Sequence, residues 1–487
     1  MDEMMITCLP NASSLIESMR SIGYSFETAL ADVIDNSISA GADTIQVFNR
    51  SKNGEAYIQI LDNGNGMEYK DLIEAMRLGS KNPENERSET DLGRFGLGLK
   101  SASFSQCRLL TVISKKNKSI SAFQWDLDAI ALSNSFEIRQ LSKLDIDKIP
   151  NVNDLKKMSS GTIVQWEKFD RISDSSSNVL DELSNLMFQA IEHISLIFHR
   201  FLNNDLNIEV NYEKVLPKEP FLKNHPGTQE RKSKRVLIDG ETINLFPYVL
   251  PHYSKLTAVD KQKIGKNNEL YKSQGFYLYR NKRLIVWGDY LGLTKKTELS
   301  KNLRIQVDIP NTLDYLWEID VKKSRAKVPS KIKKNLLSVI NDGEQVSKRV
   351  STHRGVRELT KEKPVWQFYS DRNQEFHFEI NKENSIYKEF ISSLNEQQIR
   401  LFNLFNRSIE DNLPIQKIYV EIAEGHEYKT VLDDDQVTKL IETLEAVRLI
   451  GSIDYVSFIN ALLSTEPYAS NTTLSEILNR EKDRNYV

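Results

Sequence analysis

The chain has 487 residues, with 65 Lys and Arg against 68 Asp and Glu and a net charge of −3. That balance excludes a uniformly cationic, histone-like surface, and a hydrophobic fraction of 39% excludes disorder along the whole chain. Length alone predicts about two to four domains. Two cysteines, Cys8 and Cys107, cannot build a disulfide framework, which points to a reducing, cytoplasmic setting. No apolar run approaches the ~20 residues of a membrane span, and the acidic start Met1–Met5 lacks a signal-peptide layout. The histidines are scattered: His193 and His199 are not spaced as i,i+4 ligands, so no structural zinc is expected.

In chain order, a helix opens behind Ser25, a favourable N-cap, and runs to Ala40 before the helix breaker Gly41. Strands follow at Thr44–Phe48 and Ala56–Leu61, then a glycine-rich turn at Asn63–Gly66 and a helix at Tyr69–Leu78. Residues 80–92 are polar and aperiodic and read as a loop. A second helix begins in the segment from Gly93, and strands follow at Arg108–Ser114 and Ser119–Leu127. Residues 130–160 read as irregular, before a closing strand at Ser160–Trp166. Ser173–Ser177 form a joint leading into helical periodicity over Val179–Leu202. The chain then turns strand-rich at Leu206–Val210, Glu241–Val249, Gly275–Tyr279, Arg283–Trp287 and Leu303–Ile309, with a helix over Pro329–Val346. Residues 355–374 read as a linker, and Leu394–Ile409 and Asp435–Leu449 are the clearest helices beyond it. The expected division is 1–171, 172–350 and a mostly helical 351–487, in an α+β chain.

Three segments of the first region carry chemistry. On a helix, Asp32, Asp35, Asn36 and Ser39 share one face, a carboxylate and amide pairing that suits Mg²⁺, which takes few protein ligands. Asp62-Asn63-Gly64-Asn65-Gly66-Met67 ends an apolar strand. An aspartate there can accept from a base amino group while the glycines let backbone approach a flat ring. Gly93-Arg94-Phe95-Gly96-Leu97-Gly98-Leu99-Lys100-Ser101-Ala102 presents glycines and backbone N–H groups at a helix start, a setting that favours anions, with Lys100 adding charge. It lacks the GK[ST] ending of a P-loop. Taken singly, each segment also fits a polar helix face or an ordinary turn.

Together and in this order, with Gly161-Thr162 on the closing strand, the segments resemble the Bergerat ATPases: gyrase B, MutL, large heat-shock chaperones, histidine kinases and MORC proteins. The resemblance implies a Bergerat α/β sandwich followed by a transducer-like α+β domain, with ATP and Mg²⁺ as ligands. It implies that Asn36 holds Mg²⁺, that Asp62 reads the adenine amino group beside Thr162, and that Ala40, Gly64, Gly66 and Met67 line the pocket. Gly79, Ser80 and Lys81 would open an ATP lid that ends in Gly93, Arg94, Phe95, Gly96, Leu97, Gly98, Leu99, Lys100 and Ser101 around the phosphates. Asp32 stands where these enzymes carry a glutamate base. It is shorter by one C–C bond, ~1.5 Å, so slow hydrolysis is expected.

Tyr279-Arg280-Asn281-Lys282-Arg283-Leu284-Ile285 resembles a MORC segment, and Lys322 or Lys323 falls where relatives deliver a lysine to the γ-phosphate. The closest likeness is to compact bacterial MORC-like ATPases associated with restriction and antiviral gene clusters. Residues 213–236 and 322–334 are basic stretches, the latter with seven Lys and Arg and no acid. They suit salt-sensitive contact with double-stranded DNA. The resemblance implies an ATP-dependent homodimeric clamp on DNA, with a separate nuclease or helicase partner and no membrane. The alternative is a chaperone-like or signalling switch that holds a protein.

Overall fold

The computed structural model describes residues 10–21, 23–79, 98–172, 179–203, 205–318, 326–352, 364–370, 376–423, 434–450, 454–465, 468 and 472–483. The chain forms two compact units, residues 1–352 and 353–487.

The first unit opens with α1 (Ala12–Arg20), α2 (Phe26–Ser39), β1 (Thr44–Lys52) and β2 (Glu55–Asp62). Next come α3 (Tyr69–Met76), α4 (Gly98–Gln106), β3 (Leu109–Lys116), β4 (Ser119–Asp126) and α5 (Leu127–Ser133). Then follow β5 (Arg139–Gln140), α6 (Lys143–Asp147), α7 (Val152–Lys157), β6 (Gly161–Glu167), α8 (Val179–Ile197), α9 (His199–Leu202), β7 (Asn207–Val210) and β8 (Glu213–Lys214). The strands form an eight-stranded sheet in the order β5-β4-β3-β6-β2-β1-β7-β8. Every pairing is antiparallel except β1 with β7, which is parallel. A parallel neighbour needs a crossover, and α8 supplies it. Strands from beyond residue 171 therefore complete the first sheet.

Strand alternation gives this sheet two different faces. Ile45, Val47, Ile58, Ile60, Val112, Val164 and Trp166 form one face and share a core with α2, α4 and α8. Phe48, Leu61, Ile113 and Ile163 lie on the other, covered by Ile146, Val152 and Leu155. This cover is α6 and α7, within the stretch expected to be irregular. Helices of five and six residues are too short to display a 3.6-residue period in sequence.

The second sheet is built from β9 (Gln229–Glu230), β10 (Lys234–Ile238), β11 (Glu241–Val249), β12 (Gly275–Arg280), β13 (Arg283–Asp289) and β14 (Leu303–Ile309). Helices α10 (Ala258–Ile264) and α11 (Asn267–Lys272) precede β12. The strand order is β10-β11-β14-β12-β13, with β9 beside β11. Helix α12 (Lys333–Thr352) packs Leu336, Val339 and Ile340 onto this sheet. It starts later than the expected Pro329, because Ser330–Ile332 form a 3₁₀ turn, and it continues past Val346.

The β12–β13 turn rests on Asn281 and Lys282, both at positive φ (47° and 67°), as a tight two-residue hairpin requires. That turn presents Arg283 to α2. Its Nε donates to Asp35 Oδ1 at 3.0 Å, and both side chains are at most 5% exposed. The guanidinium lies 4.6 Å from the centre of the Phe198 ring. Nearby, His199 packs edge-on to Tyr279 at 5.6 Å, and burial pushes its pKa down to about 4.

The second unit contains the hairpin β15 (Trp366–Ser370) and β16 (Phe376–Ile380), then α13 (Ser385–Ser392), α14 (Glu396–Asp411), α15 (Ile415–Ala423), α16 (Asp434–Ile450), α17 (Tyr455–Leu463) and α18 (Thr472–Asp483). Part of the expected linker is thus a strand, held by aromatic cross-strand pairs such as Phe368–Phe378 at 5.4 Å. Leu444, Ile459 and Leu478 form the core of the last three helices.

Arg283→Met removes the cation facing Asp35. A broken buried ion pair costs roughly 3–5 kcal/mol, so denaturant unfolding of the chain should show a loss of that order. The joint should also be acid-sensitive. The folded pKa of His199 lies below the ordinary 6.5, so its contribution is present above that pH and is lost as pH falls towards about 4. His199→Gln should flatten unfolding free energy against pH across that window, by up to about 1.4 kcal/mol per pH unit.

Candidate functional site

Helix α2 is apolar almost all round: Ala29, Leu30, Ala31, Val33 and Ile34 are each at most 1% exposed. Its polar residues therefore have separate environments rather than one shared solvated face. Asp32 is 5% exposed, Asp35 is committed to Arg283, and Asn36 and Ser39 are exposed. Asp32 and Asn36 remain one turn apart on the same side of the helix. The Asn36 side chain makes no protein hydrogen bond among the described residues, so its amide oxygen can serve a hard cation. Among these residues no three His, Cys, Asp or Glu converge as a metal cluster. A divalent ion here would take Asn36 and complete its shell with phosphate and water.

Ser37 sits one residue on and faces the opposite way, into the fold. Its Oγ donates to Asp62 Oδ2 at 2.8 Å, while the Gly64 N–H donates to Asp62 Oδ1 at 2.9 Å. Asp62 ends β2 opposite Thr162 on β6 and is 4% exposed. Burial pushes its pKa up, against the donors that hold the ionised form. The Thr162 backbone also favours the ionised form, and a carboxylate's roughly four acceptor positions still leave capacity for an incoming amino group.

Thr162 Oγ1 lies 3.0 Å from Ser114 Oγ on β3. The same Ser114 oxygen accepts from the Met67 N–H at 2.8 Å, and Ser160 Oγ donates to the Gly64 carbonyl at 2.7 Å. The Asn65 N–H donates to Ala40 O at 2.8 Å, which ties the turn to the end of α2. Two glycines make this packing possible. A Cβ on Gly64 would meet Ala40 at 3.0 Å, and one on Gly66, at φ +60°, would lie 1.9 Å from Lys115 O. No side chain fits the second position.

Asn36, Ala40, Asp62, Gly64, Gly66, Met67 and Thr162 are thus gathered where α2 meets the ends of β2 and β6. Ser37, Ser114 and Ser160 join them unforeseen. Ser37 was readable only as the neighbour of Asn36, and Ser114 only as the strand partner of Thr162.

Gly98, Leu99, Lys100 and Ser101 start α4. Lys100 is not an open point charge in this arrangement. It is 2% exposed, and its ammonium donates to Ala75 O, near the end of α3, at 2.9 Å. A helix end collects unpaired carbonyls, which attract a cation. Gly79 follows α3 with φ +70°. Ser80, Lys81, Gly93, Arg94, Phe95, Gly96, Leu97, Lys322 and Lys323 lie outside the described residues.

Of the basic stretches, Lys218 pairs with Glu192 at 2.7 Å, and Lys223 donates to Gln306 at 2.8 Å. Lys327 pairs with Glu318 and Lys331 with Asp239. Lys214, Arg231, Lys232, Arg235, Lys333 and Lys334 are exposed and form no ion pair among the described residues. No described helix is long and apolar enough to cross a membrane.

Residues 24–162 match the family model of histidine kinase-, DNA gyrase B-, and HSP90-like ATPases. The chain is similar to the ATPase morc-1 of Caenorhabditis elegans, 30% identical over 95 residues, or 20% of this chain and 11% of that protein. It is also similar to the ATPase MORC2B of Mus musculus, 33% identical over 96 residues, or 19% of this chain and 9% of that protein. The chain therefore spans only about a tenth of the length of these relatives. Among solved structures, the ATPase and transducer domains of DNA topoisomerase II from Balamuthia mandrillaris align over 66% of this chain and 85% of that one, at 10% identity and a TM-score of 0.37. The matched segment begins at Tyr24 and ends at Thr162, and so encloses α2, the Asp62 turn and the start of β6. This α+β chain therefore carries, over residues 24–162, a Bergerat-type ATPase domain of the histidine kinase, gyrase B and HSP90 kind, and it is MORC-like in sequence.

Proposed function

We propose that the chain binds ATP with Mg²⁺ at the α2–β2–β6 junction, hydrolyses it, and uses the cycle to close a homodimeric clamp on double-stranded DNA. The observation that carries the nucleotide reading is the buried Asp62 carboxylate, held by Ser37 and Gly64 beside a glycine turn that packs tightly against Ala40 and Lys115. In this reading Asp62 accepts from the adenine amino group. Asn36 offers the metal its amide oxygen, and Mg²⁺ would supply charge neutralisation on the phosphates. Asp32, a turn before Asn36 and nearly buried, orients and polarises the attacking water. Lys322 or Lys323 meets charge developing on the transferred group.

Purified chain should turn over ATP with Mg²⁺, and Asn36→Ala should fall to background. Asp32→Asn should lower kcat by roughly 10²–10⁴, the range for loss of a general base, while Asp32→Glu holds or raises it. Turnover equal in Asp32→Asn and the parent chain would remove Asp32 from the chemistry.

The DNA reading is supported by the exposed cations of the second sheet and α12. Binding to a DNA duplex should weaken with salt, and Arg231→Ala with Lys232→Ala should reduce the slope of log K against log salt by about two. A slope unchanged in that double variant would exclude this surface.

One observation favours the protein-holding switch instead. Leu401, Leu404, Phe405 and Tyr419 in the second unit are 62–68% exposed, an apolar display suited to a protein partner. ATP turnover that is indifferent to DNA would favour that reading.

A further inference from the structure

The sheet face turned away from α2 carries a polar row. Gln124 on β4, Thr111 on β3, Gln165 on β6 and Gln59 on β2 are direct cross-strand partners. Three of them are at most 3% exposed: Gln59, Thr111 and Gln165. Polar groups buried in this way normally find hydrogen-bond partners. At both ends of the row they do. Asn151 donates to Gln59 Oε1 at 2.7 Å, and Gln59 Nε2 donates to Pro150 O at 2.9 Å and to Gln165 Oε1 at 2.7 Å. Gln124 Nε2 donates to Thr111 Oγ1 at 2.9 Å.

The middle of the row is left open. The Pro150 carbonyl can only accept, which fixes the Gln59 and Gln165 amides and leaves the NH₂ of Gln165 without a protein acceptor among the described residues, while the Thr111 hydroxyl can turn its proton to Gln124 or to the cavity. The hydroxyl of the neighbouring Tyr57, a residue 7% exposed, has no protein hydrogen bond among them either. Over this gap lies a cavity of about 220 Å³, roofed by Leu141, Ile149 and Pro150. Its lining also carries Lys52, Arg139 and Lys148 with the acids Asp145 and Glu167, and Asp145 lies 3.3 Å from Arg139 and 3.9 Å from Lys148.

We propose that this cavity is a second ligand site, separate from the Asp62 site, for a small organic anion with a flat imide edge. Gln165 and Thr111 donate to a ring carbonyl. The Gln124 carbonyl and the Glu167 carboxylate accept from an adjacent ring N–H. The ring lies between the sheet floor and the apolar roof, and the anionic group meets the cations of the lining. The volume falls below the roughly 300–1,000 Å³ of drug-sized pockets, which restricts the enclosed part to a single ring. A pyrimidine mononucleotide is the simplest molecule that satisfies all three demands.

The test is calorimetric titration of the full chain with uridine 5′-monophosphate, with and without a saturating non-hydrolysable ATP analogue. Saturable binding at unit stoichiometry, unchanged by the analogue, is expected. Gln165→Glu removes the amide donors at constant shape, and Arg139→Glu reverses a lining charge at an exposed position where folding is safe. Each should weaken binding by about tenfold. Inorganic phosphate should compete poorly. No saturable binding at millimolar ligand, affinity unchanged in Arg139→Glu, competition by phosphate alone, or loss of binding in Asp62→Ala would each overturn the proposal. Melting temperature and ATP-analogue binding identify a Gln165→Glu protein that has failed to fold.

Discussion

The buried ion pair between Asp35 and Arg283 ties the second sheet of the first unit to α2, the helix that carries Asp32 and Asn36. An isolated charge at either position would be costly in so dry a setting, so each demands the other. The pair fixes the β12–β13 turn against α2, and α2 in turn carries Asp32, Asn36 and Ser37. Phe198, stacked on the guanidinium, brings α8 into the same contact.

A second constraint acts within the site. Asp62 is held in a nearly dry position by the Ser37 hydroxyl and the backbone of Gly64 and Thr162, and burial raises its pKa despite all three. The glycine turn tolerates no side chain at Gly66, because the Lys115 carbonyl occupies that space. The serines at 37, 114 and 160 hold β2, β3 and the turn in register around the carboxylate. Rigidity on this side contrasts with the exposed amide of Asn36, whose side chain makes no protein hydrogen bond among the described residues.

The two faces of the first sheet do different work. One is apolar and packs against α2, α4 and α8. The other is apolar only beneath α6 and α7, and beyond them it becomes a row of amides and a hydroxyl.

Much was legible in advance. The α2 and β2 elements, the Asp62 turn and the Gly161-Thr162 strand were readable because helix caps, glycine turns and alternation are local signals. Asn36, Asp62, Gly64 and Gly66 were singled out by residue type and spacing and Thr162 by the family resemblance, and the fold gathers Asp62, the glycine turn and Thr162 at the end of α2. Other features escaped. Asp35 looked like a member of a polar helix face, yet its partner lies 248 positions away. Lys100 looked like a phosphate ligand, yet its ammonium reaches the Ala75 carbonyl. The helices α6 and α7 were too short to show a period, and the row of Gln59, Thr111, Gln124 and Gln165 exists only because four strands pair in one register. The sequence by itself determined which local elements form and which residue types could meet a nucleotide, since both depend on near neighbours along the chain. Only the tertiary structure decided which polar groups are buried together, because burial and charge pairing depend on contacts between segments remote in sequence.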